Sequence, residues 1–338
     1  MAIIGLLTAG GDCPGLNAVI RAVTATAVAS GHRVVGFRDG WAGLMDDDAV
    51  DLDRDAVRGI LGRGGTILGT SRRDPYVHGQ GAASIAGTVG RHGIDVLVVV
   101  GGDGTLRTAA QIDAEGIPII GIPKTIDNDV PGTDVSFGFD TAVEIATDAI
   151  DRLTTTAEAH NRVQLVEVMG RTRGWIAVHA GIAAGADVIL IPEFPLSLEE
   201  AAAIITRRHD GGRNYSVVVV AEGIDIPRDD VLPSDAFGFT RLGGVAYWVA
   251  PILERLTGFE TRVTVLGHLQ RGGTPSARDR ILATRLGAAA VASIDRGDRG
   301  VMVSVRGTTV VPVPLSEIGD EPRGVPRDLW DVARAFFG

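Results

Sequence analysis

The run Val96-Leu97-Val98-Val99-Val100 leads straight into Gly101-Gly102-Asp103-Gly104-Thr105. An unbroken apolar run closed by glycines reads as a strand buried on both faces, as in a parallel sheet covered by helices. The pattern recurs at Ile3–Leu7, Val34–Phe37, Ile117–Ile122, Val163–Val168, Val188–Ile191, Val217–Ala221, Val263–Leu266 and Val301–Val305. Helices fit between these strands at Ala18–Ala29, Thr141–Thr154, Trp175–Ala184, Leu198–Arg208, Gly243–Leu256 and Ala277–Asp295. In Thr141–Thr154, for example, Val143, Ala146, Ile150 and Leu153 share one helical face. Strands alternating with helices along the whole length predict an α/β fold with mainly parallel sheets.

The 338 residues exceed the roughly 250–300 at which one core tends to split, so two domains are expected. The net charge is 32 − 42 = −10, which excludes a basic nucleic-acid footprint for the chain as a whole. Any anionic ligand must then be held by local arginines or backbone N–H groups against an adverse field. Cys13 is the single cysteine, so there is no intrachain disulfide and no cysteine zinc cage. No apolar run approaches the ~20 residues that span a bilayer, and no basic n-region precedes Ile3. A cytoplasmic protein with neither membrane nor nucleic-acid partner is expected. Gly132–Gly138 and Asp225–Gly238 are turn-rich candidate boundaries. The acidic run Asp46-Asp47-Asp48 reads as a solvated loop rather than a metal site, and Trp41 as a core or interface residue.

Three loops after strands could carry chemistry. Gly10-Gly11-Asp12-Cys13-Pro14-Gly15 opens a helix without the Walker or dinucleotide spacing. Its bare N–H groups suit phosphate, and a tight turn needing glycine is the plain alternative. In Gly101–Thr105 a lone carboxylate, Asp103, sits among small residues, where it could hold Mg²⁺ shared with phosphate oxygens or merely cap the next helix. In Pro123-Lys124-Thr125-Ile126-Asp127-Asn128-Asp129, two aspartates two apart point the same way if the segment is extended. Such neighbours raise each other's pKa, and one could serve as a base; a Pro/Asn/Asp turn is the alternative. Phosphate-compatible loops following three strands at one sheet edge favour a ligand site.

Arginines accompany these loops: Arg72 and Arg73 after Gly69-Thr70-Ser71, Arg162, Arg171 in Met169-Gly170-Arg171, Arg262, and Arg271 in Gly267-His268-Leu269-Gln270-Arg271-Gly272-Gly273. Guanidinium forks grip phosphate, although each arginine singly also suits a surface ion pair. Glu222, ending a strand, could accept from a sugar hydroxyl.

Taken together, these segments resemble the bacterial 6-phosphofructokinases (phosphofructokinase A family, mixed-substrate actinobacterial type). The likeness runs through Gly10–Asn17, Gly64–Arg72, Gly101–Thr105, Lys124–Asp129, Gly138–Asp151, Val163–Arg173, Ala221–Gly223 and Thr264–Pro275. It implies two similar three-layer αβα domains: 1–138 plus 251–301 for the phosphoryl donor, and 139–250 plus 302–338 for fructose 6-phosphate. It also implies transfer of a phosphoryl group to the sugar 1-hydroxyl, giving fructose 1,6-bisphosphate in glycolysis. By resemblance, Asp127 is the base, with Thr125, Asp129, Arg171 and Arg72 assisting. Gly11, Arg72, Arg73, Gly102, Asp103, Gly104 and Thr105 bind ATP, with Mg²⁺ on Asp103. Thr125, Ile126, Asp127, Met169, Gly170, Arg171, Glu222, His268, Leu269, Gln270 and Arg271 hold the sugar phosphate. Arg162 and Arg262 reach it from a neighbouring subunit, in a homotetramer.

Two departures stand out. ATP-using relatives carry glycine at positions 104 and 124, whereas pyrophosphate users carry Asp and Lys. This chain combines Gly104 with Lys124. An Asp at 104 would crowd and repel the nucleotide's α-phosphate, so Gly104 favours ATP; a pyrophosphate-dependent enzyme is the alternative. Basic positions of the relatives' effector site are here Ala25 and Thr154, although Arg21, Arg54 and Arg213 remain. Weak or absent control by ADP and phosphoenolpyruvate is therefore expected. A non-catalytic sensor of sugar phosphate or nucleotide is the alternative of another class; it would be free to lose the base.

Overall fold

The computed structural model describes residues 1–226 and 242–338. The chain forms two compact units. The first comprises Met1–Thr141 and Arg271–Pro322, the second Ala142–Gln270 and Arg323–Gly338. Both are α/β with mainly parallel sheets, as the alternation of strands and helices predicts.

In the first unit, β1 (Ile3–Thr8), β2 (Arg33–Phe37), β3 (Ala49–Leu52), β4 (Val96–Gly101), β5 (Ile119–Thr125) and β6 (Phe137–Gly138) are joined by β11 (Val301–Arg306) and β12 (Thr309–Pro314). For clarity, the second unit's strands are β7 (Val163–Val168), β8 (Val188–Leu190), β9 (Ser216–Ala221) and β10 (Thr261–Val265). The large sheet runs β12-β11-β5-β4-β1-β2-β3, with β6 paired to β5. Its central pairs are parallel, with Thr8 opposite Val100 and Gly101 opposite Pro123. The strands β1, β4 and β5 therefore end side by side. From β1 the chain goes to β2 on one side and later to β4 on the other, and the ends of β1 and β4 flank that switch point, where α/β sheets bind ligands.

The two edge strands are antiparallel, and the apolar-run criterion misses both. β3 is short and carries Asp51, and β12 carries Pro312 and Pro314. Proline has no N–H to give and is tolerated at an edge, where it discourages further pairing.

The second sheet runs β10-β7-β9-β8 and is parallel throughout. This pairing moves the expected domain boundaries. Residues 251–270 belong to the second unit because β10 pairs with β7; residues 302–322 belong to the first because β11 pairs with β5. The chain passes between units just after Gly132–Gly138, one of the two turn-rich stretches. Most of the other, Asp225–Gly238, lies outside the described residues.

Local signals set the helix ends. Leu198–Asp210 starts at a capping box, Ser197 and Glu200 each bonding the other's backbone N–H. The helix expected from Gly243 begins at Val245, because Gly243 and Gly244 hold φ at 116° and 84°. Trp41 is buried in the core, opening the short helix Trp41–Asp46. The acidic run at its end is ion-paired: Asp46 pairs with Arg73, Asp47 with Arg91 and His92, and Asp48 with Arg38. No described helix is long and apolar enough to cross a membrane.

Cys13, between β1 and the helix Leu16–Ala29, is fully buried, and its thiol reaches the Phe137 carbonyl at 3.7 Å. Burial pushes the thiol up to about 12, against a weaker opposing pull from Lys124. Thiol reagents need thiolate and access, so labelling with a disulfide reagent at pH 8 should follow the urea unfolding transition. Fast labelling in buffer alone would mean that the Cys13 turn opens in the folded state.

Candidate active site

Three backbone turns meet where β1, β4 and β5 end. The β1 turn is tied to the loop before Arg72 by three bonds. Gly10 N–H donates to the Ser71 carbonyl at 2.9 Å, Thr70 Oγ1 to the Gly10 carbonyl at 2.7 Å, and Thr8 Oγ1 to the Gly69 carbonyl at 2.8 Å. Asn17 holds the same loop further back, donating to the Arg63 and Gly64 carbonyls and accepting from Ile67 N–H. Arg72 follows, half-buried, while Arg73 is turned to Asp46.

Two cations bracket the turn. Lys124, 2% exposed, donates Nζ to the Gly11 carbonyl, and Arg271 donates Nη1 to the Asp12 carbonyl at 2.9 Å. The Arg271 guanidinium lies so close to Gly11 that a Cβ there would meet Nη1 at 2.9 Å. Burial lowers the Lys124 pKa, and Arg271 adds to that. Arg271, expected among the sugar-phosphate residues, is thus placed against the β1 turn in the first unit.

The Gly102–Thr105 turn opens the helix Asp103–Ala114. Gly102 is its N-cap and no side chain caps it, so Asp103 is not the cap. Asp103 instead pairs with Arg107, Nη2 to Oδ2, at 2.7 Å. Beyond Gly104 the space is open, with no atom within 4 Å of where a Cβ would sit. No group of three or more His, Cys, Asp or Glu able to hold a metal occurs among the described residues. One carboxylate beside open space suits Mg²⁺ carried mainly on phosphate oxygens and water.

The segment after β5 is not extended. Asn128 takes φ 54°, and its Oδ1 accepts from Ser136 N–H at 3.1 Å. Asparagine tolerates this left-handed region, so the alternation argument for Asp127 and Asp129 does not hold. Both are nevertheless buried, at 5% and 8% exposure. Thr125 Oγ1 accepts from Asp127 N–H at 3.0 Å, and Ser136 Oγ donates to the Thr125 carbonyl at 2.9 Å. Asp127 Oδ1 is buried with no hydrogen-bond partner among the described residues. Ile126, expected among the sugar-phosphate residues, is fully buried, side chain and backbone alike.

In the second unit, β7, β9 and β10 end together. Glu222 Oε1 accepts from Gly170 N–H at 3.3 Å and Arg171 N–H at 2.9 Å, clasping the turn after β7. Arg171 takes φ 52°, and a Cβ on Gly223 would lie 1.8 Å from its carbonyl oxygen, so glycine is required there. Gln270 Oε1 accepts from Met169 N–H at 3.0 Å. A pocket of about 160 Å³ is lined by Met169, Glu222, His268 and, from below, Glu167. Leu269 is exposed beside it. Arg162 and Arg262 lie elsewhere: both pair with Glu260 where β7 and β10 begin, at the opposite end of these strands.

The sequence reading missed three contributors. Arg107, four after Asp103, was findable from helical spacing. Glu167 stands out as a charge in an otherwise nearly apolar strand; it accepts from Gly244 N–H at 2.6 Å and Ala246 N–H at 2.8 Å, holding the pocket wall. The Lys124–Gly11 bond had no sequence signal. Replacing Glu222 by Ala leaves two N–H groups buried without it, at a cost of about 1–3 kcal/mol. Urea midpoints should rank wild type, then Glu222→Gln, then Glu222→Ala; equal midpoints would refute the clasp.

The phosphofructokinase family model matches residues 3–294. A pyrophosphate–fructose 6-phosphate 1-phosphotransferase of Amycolatopsis methanolica is 51% identical, over 99% of each chain. An ATP-dependent 6-phosphofructokinase 3 of Streptomyces coelicolor is 49% identical, over 96% of each. Among solved structures, phosphofructokinase from Saccharomyces cerevisiae matches with a TM-score of 0.81 and 34% identity, covering 94% of this chain. This chain spans 45% of that yeast chain. The family match takes in most of the chain, and the relatives match it nearly end to end: the chain belongs to the phosphofructokinases.

Proposed function

We propose that this phosphofructokinase is ATP-dependent, moving the γ-phosphoryl group of ATP to the 1-hydroxyl of fructose 6-phosphate. The observation that carries the reading is the buried Asp127 Oδ1 without a hydrogen-bond partner. A buried acceptor left unmade is costly, and a substrate hydroxyl would satisfy it. As the sugar oxygen bonds to phosphorus, its proton passes to Asp127, and the bond to the departing ADP breaks. Thr125 Oγ1 already accepts from Asp127 N–H, which leaves its own proton to donate to the phosphoryl group. Arg72 and Arg171 would stabilise charge in transit, with Asp129 on the metal side. Such positioning and electrostatics are most of what phosphoryl transfer requires.

The reading assigns the donor to Gly11, Arg72, Arg73 and Gly102–Thr105 of the first unit. Asp103 would hold Mg²⁺, which when bound offsets charge on the donor phosphates. It assigns the sugar phosphate to Met169–Arg171, Glu222, His268–Gln270 and Arg271. Arg162 and Arg262 sit at the far end of their own strands, which supports their serving a neighbouring copy in a homotetramer.

The donor is argued from Gly104. The open space beyond it supports room for an α-phosphate. A specific observation favours pyrophosphate as a second reading: Lys124 is a buried cation at the end of β5, and relatives of nearly equal identity carry either donor in their names.

A paired assay with fructose 6-phosphate, Mg²⁺ and either ATP or pyrophosphate is the direct test. Turnover with ATP is expected, and turnover with pyrophosphate alone would overturn the donor reading. Turnover with neither would leave a binding protein. Asp127→Asn should cut turnover by about 10²–10⁴ while donor binding persists. Gly104→Asp should depress ATP use sharply; undiminished use would refute the steric argument.

A further inference from the structure

Arg107 is held from two sides. Its Nη2 donates to Asp103 Oδ2 at 2.7 Å, one helical turn back, and its Nη1 donates to the Asp320 carbonyl at 2.9 Å, 213 residues on. The Asp103 side chain is 15% exposed and that of Arg107 40%, so the carboxylate is sheltered and the cation faces outward. Gly104, three residues before Arg107 and hence its neighbour on the helix surface, borders open space.

We propose that Arg107 is a positioning residue of the donor side, keeping Asp103 from collecting a bare divalent cation and reserving it for one that arrives on a polyphosphate. The proposal rests on the donor reading above. A lone dication gains from a bare carboxylate but is repelled by a guanidinium that has already neutralised it. A magnesium–polyphosphate complex carries net negative charge, so the same guanidinium attracts it, and its remaining N–H groups can donate to the complex's oxygens. One residue thereby lowers affinity for the free metal and raises it for the loaded donor. Metal and donor then enter together, and the adverse charge of the whole chain is overcome where the donor lands.

The test titrates the full-length protein with Mn²⁺ alone, and separately with Mn²⁺–ATP and Mn²⁺–pyrophosphate, following the metal by electron paramagnetic resonance. Because Arg107 is partly exposed, effects of roughly tenfold rather than a hundredfold are expected. Arg107→Gln should bind Mn²⁺ alone about tenfold more tightly than wild type, and the Mn²⁺–donor complex about tenfold more weakly. Arg107→Lys keeps the charge without the fork, so its affinity for Mn²⁺ alone should stay as weak as wild type. Both affinities moving in one direction in Arg107→Gln, or neither moving, would overturn the proposal. If Arg107→Gln does not fold, tight binding of Mn²⁺ alone by Arg107→Lys would overturn it equally. Failure of the donor reading looks different: wild type would bind neither complex, while the comparison with Mn²⁺ alone would still decide the role of Arg107.

Discussion

The parallel register of β1, β4 and β5 is the constraint on which the candidate site of the first unit depends. Thr8 opposite Val100 and Gly101 opposite Pro123 bring three strand ends to one line. Inside the sheet β1 and β4 each pair with a strand on either side. At these ends the backbone is released together, and three turns become available to a ligand. Buried polar groups must still find partners, and the turns are secured by specific ones: Ser71 and Thr70 for Gly10, Lys124 for Gly11, Arg271 for Asp12.

The charges at these strand ends follow from that arrangement. An acidic chain does not attract polyphosphate at long range. Its cations are spent locally instead. Lys124 and Arg271 grip backbone carbonyls, and Arg107 grips Asp103. The buried carboxylate oxygen of Asp127 stands apart from these pairings, and in the function proposed above it accepts the sugar proton. On the second unit a carboxylate does the opposite work. Glu222 accepts from the Gly170 and Arg171 N–H groups, so that turn is shaped without any ligand.

Much of the fold was legible in the chain, for a physical reason. Strands buried on both faces are mostly apolar, and Val96–Val100 and Val217–Ala221 are apolar throughout; a polar residue such as Glu167 enters one only where it finds hydrogen-bond partners. The edge strands escaped that criterion because one face and one edge of each meets solvent, which admits Asp51 in β3 and two prolines in β12. The domain boundaries shifted for a related reason. Which unit owns Thr261–Val265 or Val301–Arg306 is decided by the strand it pairs with, and pairing joins residues about a hundred or more positions apart.

By itself the sequence determined the fold class, the strand ends that carry glycine and charge, and the family, because these depend on local composition and spacing. Only the tertiary structure decided what those side chains do to one another. It turned Asn128 into the left-handed region, so that Asp127 and Asp129 do not follow strand alternation. It set Lys124 on the Gly11 carbonyl, put Arg271 against the β1 turn, and left Arg162 and Arg262 at the far end of their strands. Each of these outcomes joins residues far apart in the chain or depends on a single backbone dihedral. Burial and hydrogen-bond satisfaction act on the folded surroundings of a residue, and a linear pattern does not contain those surroundings.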